Sequence, residues 1–161
     1  MIRFAKQTTA RKAKTKDVPI ISIILASIIV VMLLAQLFKF EELSYIITAF
    51  ALPISSDFSS IIAGILVSLE LFSLPFILSM TLSPLMRIMS MIFGWLVVTF
   101  WLFVSLWLNL NQVTNANAGI FGATIELPIG WWMLGFSILL GVLTARVSWG
   151  MWPITVIYNK N

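Results

Sequence analysis

Cysteine and histidine are both absent from the 161 residues, and only six residues are acidic. A thiolate is the nucleophile of every thiol–disulfide exchange, so this polypeptide cannot carry out that chemistry alone. Haem and soft-metal centres are likewise left without their usual ligands. Charge is scarce: 10% of the residues are charged, whereas a soluble domain uses roughly 25% to cover its surface. There is no glycine-rich phosphate loop and no nucleophile–base pair. Asn-x-Ser/Thr sequons and lipidation motifs are missing as well.

What is present is hydrophobic, to the extent of 60% of the chain. The excess is gathered into four runs, at about 18–38, 61–82, 85–108 and 128–152. Each reaches the ~20 residues that a helix needs to cross a ~30 Å hydrocarbon core. A backbone in lipid must satisfy its own hydrogen bonds, and the runs lack the period-two alternation of a barrel. The expected fold is an all-α membrane protein, a four-transmembrane-helix bundle with a short interfacial helix in the first outer loop. A basic tail (1–17) precedes the membrane domain (18–152) and a short tail (153–161) follows it. The first run is longer than the 7–15 residues of a signal h-region and is read as a retained span.

Basic residues sort to one side. Arg3, Lys6, Arg11, Lys12, Lys14, Lys16, Arg87, Arg146 and Lys160 fall together, against Lys39 alone on the other side. Glu41, Glu42, Asp57 and Glu126 occupy the opposite loops. The positive-inside rule then sets both termini in the cytoplasm and the two longer loops (39–60 and 109–127) outside. The basic tail has one aromatic residue, Phe4, and abuts a span. It reads as a retention signal attracted to anionic lipid, not as a nucleic-acid site. Trp107, Trp131 and Trp132 match the outer interface and Trp149 and Trp152 the inner one. Trp95 and Trp101 lie deeper and read as packing or lipid-facing residues.

Glu70 stands inside the second run with no polar cluster around it in sequence. A carboxyl at that depth must be neutral, paired or functional. Arg146 and Arg87 are the cations available to pair with it. Pro75, five residues on, frees the carbonyl of Leu71 and should kink the helix beside the carboxyl. Small residues at Ser137, Gly141 and Ala145 in the fourth run, and at Ser90 and Gly94 in the third, allow close backbone approach. They are candidates for packing inside the bundle or against a partner subunit.

The first outer segment carries Phe40, Leu43, Ile46, Ile47 and Phe50 on one helical face, an interfacial amphipathic helix ended by Pro53. The second loop is turn-rich, with Asn109, Asn111, Asn115, Asn117, Gly119 and Gly122. Two stretches together resemble the MauE/DoxX-like family of small four-span membrane proteins. One runs from Lys39 through Phe50 and Pro53 to Leu69-Glu70-Leu71. The other is Asn117-Ala118-Gly119-Ile120-Phe121-Gly122-Ala123 followed by Leu127-Pro128-Ile129-Gly130-Trp131-Trp132. In redox-active members that loop reads Asn-Cys-Gly-Cys-Phe-Gly. Here Ala118 and Ile120 occupy the cysteine positions, so Asn117, Gly119, Phe121 and Gly122 would be structural.

The resemblance implies a bacterial or archaeal plasma membrane and work beside a periplasm-facing redox complex. With no cysteine, the expected function is a non-catalytic accessory subunit or assembly factor, surrounded by the lipid bilayer and docked to other membrane-protein subunits. A quinone- or lipid-binding anchor of an oxidoreductase, with the ligand near Glu70, is the first alternative. A small proton-coupled transporter using Glu70 is the second.

Overall fold

The computed structural model describes residues 15–52, 58–113 and 117–152. Five helices follow one another: α1 (Val18–Phe38), α2 (Phe40–Ala49), α3 (Ser59–Ile77), α4 (Pro84–Leu110) and α5 (Trp131–Gly150). All but α2 are long and apolar enough to cross a membrane, and the chain is a multi-pass, all-α membrane protein. Most of the basic tail, Pro53, Asp57, Asn115 and Lys160 lie outside the described residues.

The four long helices close into a ring in which α1 packs on α3, α3 on α4, α4 on α5 and α5 back on α1. Four crossings return the chain to the side it started from. There Asp17, just before α1, pairs with Arg146 of α5 at 2.7 Å, and Arg146 also lies over the Trp149 ring. Gly150 lets the end of α5 seat directly on Val18, since a Cβ there would fall 2.4 Å from the Val18 Cγ2.

The last three spans differ from the sequence expectation by one to five residues at their ends, and three of these boundaries have a clear local reason. α3 stops at Ile77, not near 82, because Ser79 takes a left-handed conformation (φ 52°) and the Ser22 hydroxyl of α1 takes up the Ile77 carbonyl. Ser83 then caps α4, its side chain accepting from the Met86 amide at 3.3 Å, with Pro84 in the first helical turn. α5 starts at Trp131, not 128, because Pro128 is paired with Asn117 in an isolated antiparallel bridge.

α3 runs through Pro75 to Ile77. Proline removes one donor and pushes its ring against the carbonyl one turn back. The Ser90 hydroxyl of α4 enters this opened turn: it accepts from the Phe76 amide at 3.0 Å and reaches the carbonyls of Phe72 at 2.6 Å and Ser73 at 3.2 Å. Ser90 is thus a hydrogen-bonding graft between two helices as well as a small packing residue. Gly94, one turn on, lies against Ser73 and Thr144.

On α5, Ser137 is buried and Gly141 lies against Val98 of α4, but Ala145 faces outward. A four-residue step overshoots a 3.6-residue turn by about 40°. By the second step the stripe has left the interface, and Thr144 occupies the inner position instead.

Candidate functional site

α2 turns Leu43, Ile47 and Phe50 into the core, with Phe40 and Ile46 packed beside them. Its other face carries exposed Tyr45, Glu41 and Glu42, the last paired with Lys39 at 3.3 Å. The expected amphipathic helix is therefore present, and its apolar face is covered chiefly by α3.

The Asn117–Ala123 loop closes over this end of the bundle. Asn117 shapes it: its Oδ1 accepts from the amides of Gly119 (3.1 Å) and Leu127 (3.2 Å), and its Nδ2 donates to the Gly122 carbonyl (3.0 Å). Gly119 and Gly122 both have positive φ, 73° and 59°. Glycine is required at Gly122 on a second ground, since a Cβ there would lie 2.9 Å from the Gln36 Cα and 3.0 Å from the Ala35 carbonyl oxygen. Thr124 fastens the loop further by donating to that same Ala35 carbonyl at 2.7 Å. Ala118 and Ile120 point inward and are buried, and Phe121 packs near Phe136 of α5.

Beneath the loop lies Glu70, fully buried in α3. Gln36, in the last turn of α1 and equally buried, donates through Nε2 to Glu70 Oε1 at 3.1 Å and to the Ile120 carbonyl at 3.0 Å. Trp101 of α4 donates through Nε1 to the same Glu70 Oε1 at 3.4 Å. One carboxyl oxygen thereby joins α1, α3 and α4, and Gln36 links the loop to the same cluster through the Ile120 carbonyl. All these donors are neutral.

The two arginines weighed against Glu70 are engaged elsewhere. Arg146 bonds Asp17. Arg87 lies 14 residues before Trp101 on α4, about 21 Å along the helix axis. It is buried beside a small cavity that Phe76, Ser79 and Met151 also line. This cavity lies beside the Pro75 turn, at the C-terminal end of α3 and beyond the carboxyl of Glu70. Trp101 is 1% exposed whereas Trp95 is 40% exposed, so the two deep tryptophans separate into a core donor and a surface residue.

Sequence reasoning missed Gln36 and Trp101 as partners. Gln36 left a trace, as the one carboxamide in an otherwise apolar run; the Trp101 indole left none. Among the described residues, no group of three or more carboxylates could hold a metal ion. Comparison with protein-family models, curated proteins and solved structures gave no match. The class is therefore set by the fold and its interior: a four-span membrane protein with a carboxyl–amide–indole cluster tied to an extramembrane loop.

Proposed function

We propose that this chain is a non-catalytic membrane subunit or assembly factor, a cysteine-less relative of the MauE/DoxX-like proteins that docks to a membrane or periplasm-facing redox complex. One observation carries the reading: the Asn117–Ala123 loop is built as a hydrogen-bonded cap, with its two cysteine-equivalent positions, Ala118 and Ile120, buried and the Ile120 carbonyl held by Gln36. A loop kept in shape without its reactive groups fits a surface that is recognised. Glu70 serves that shape from below, positioning Gln36 instead of reacting. In the proposed orientation both termini are cytoplasmic and the cap faces outward, in keeping with the sorting of basic residues.

The alternatives have less to stand on. A quinone or lipid would need a way in to Glu70, and the carboxyl is enclosed by donors from the chain itself. Proton-coupled transport usually enlists several buried ionisable groups, and among the described residues Glu70 is the one buried carboxyl.

The test is purification in a gentle detergent from the native membrane, followed by mass spectrometry. A stoichiometric membrane or periplasm-facing redox partner is expected, and Gly122→Ala, which disturbs the cap, should weaken its retention. Recovery of a lone monodisperse protein under several detergents would overturn the reading.

A further inference from the structure

Both donors to Glu70 converge on Oε1, and Oε2, though buried, has no partner among the described residues. Gln36 Oε1 is in the same state. The orientation of the Gln36 amide is dictated by chemistry, since its Nε2 faces two acceptors, the Ile120 carbonyl and Glu70 Oε1. A flipped amide would set oxygen against oxygen twice. The two bare atoms thus belong to two groups already joined to each other, and both are acceptors. Leaving a buried acceptor unpaired is destabilising, so each calls for a hydrogen.

We propose that Glu70 Oε2 and Gln36 Oε1 form a buried acceptor pair that takes a hydrogen donor no larger than water, either the acid proton of Glu70 itself or one water molecule. In the first case Oε1 is the carbonyl oxygen, which accepts from Gln36 and Trp101, and Oε2 is the hydroxyl, which donates to Gln36. Acid and amide then satisfy each other reciprocally. In the second case one water donates a hydrogen to each oxygen. A metal cation fits poorly, because hard cations gather about six or more oxygens and the pair offers two. The third buried side-chain atom without a partner among the described residues, Ser148 Oγ, is on α5 near the opposite end of the bundle. The inference rests on the hydrogen bonding alone and holds whether or not the chain is a subunit of a larger complex.

Infrared difference spectroscopy of the full chain in lipid nanodiscs, wild type minus Glu70→Gln, tests it. Glutamine at 70 puts an N–H2 where Oε2 stands and supplies the missing donor, so this variant should fold and unfold at a temperature no lower than wild type. A carbonyl stretch of a protonated carboxyl that shifts in D2O and is lost in Glu70→Gln identifies the acid proton. A water O–H band that shifts in oxygen-18 water and is lost in the same variant identifies the water. Neither band in folded protein overturns the proposal. Gln36→Leu gives a check that leaves Glu70 in place: it should displace whichever band is found, and an unmoved band would break the pairing.

Discussion

Gln36 satisfies two buried acceptors with one amide nitrogen, the Ile120 carbonyl and Glu70 Oε1. Replacing it with leucine keeps the apolar bulk, strands the Ile120 carbonyl at about 1–3 kcal/mol, and leaves Glu70 Oε1 with the Trp101 bond alone. Gln36→Leu should therefore unfold at a markedly lower temperature when followed by circular dichroism in detergent. Trp101→Phe removes only the longer bond, 3.4 Å, and should cost no more than about 1.5 kcal/mol on that account. The reverse ranking would show that the indole, not the amide, anchors Glu70. At this scale the sequence was half legible. A lone carboxyl in an apolar run announces that it needs partners. Which partners it finds depends on the relative heights and rotations of three helices, and no local pattern encodes those. Arginine, the obvious candidate by charge, is excluded by axial distance at Arg87 and by the nearer Asp17 at Arg146.

Among the elements, α3 and the cap show opposite ways of fixing an irregular backbone. α3 carries its break internally at Pro75 and borrows a hydroxyl from α4 to fill it. Ser90→Ala should destabilise the protein, and the loss should be smaller in a Pro75→Ala background, where the regular helix needs no graft. A double-mutant cycle should return a coupling of about 0.5 kcal/mol or more; strict additivity would separate Ser90 from the break. The cap instead relies on glycine. At Gly122 a side chain meets both a positive φ and the α1 backbone, so Gly122→Ala should cost about 1–3 kcal/mol. Amide hydrogen exchange should rise in 117–127 before it rises in α4. The proline break was readable from sequence, as was the turn-rich nature of the cap. The Ser90 graft was not, because a serine at small-residue spacing looks the same whether it packs or bonds. The drift of Ala145 off the interface follows from the helical pitch alone.

For the molecule as a whole, the four apolar runs and the short helix between the first two were legible, because length and hydropathy suffice to define a crossing. The closure of the ring was not, since it depends on contacts far apart in sequence. Asp17 and Arg146 make one such contact outside the membrane. The Asp17 carboxyl is held down to about 2 by the Thr15 hydroxyl and, after it, by Arg146. A carboxyl lowered in the folded state contributes stability above its unfolded value near 3.8, and the contribution is lost as the pH falls through about 2. The pair is exposed and salt-screened, so Asp17→Asn should flatten only slightly the acid limb of stability against pH. An unchanged acid limb would assign that limb to other carboxyls. The absence of native cysteine makes the proposed orientation directly measurable. A single cysteine replacing Glu126 should react with an impermeant maleimide from outside intact cells, and one replacing Lys16 only after lysis. The opposite pattern would invert the topology.

The seat of Val18 on Gly150 also bears on biogenesis. Synthesis runs from α1 to α5, so α1 meets one of the two long helices it packs on only after α3 and α4 have been made. Until then the Val18 flank of α1 is open to lipid or to whatever insertion machinery is at hand, and the ring closes as its final helix arrives. A bulkier residue at Gly150 would leave insertion of every helix intact and still block completion, a fault of assembly with no fault of targeting.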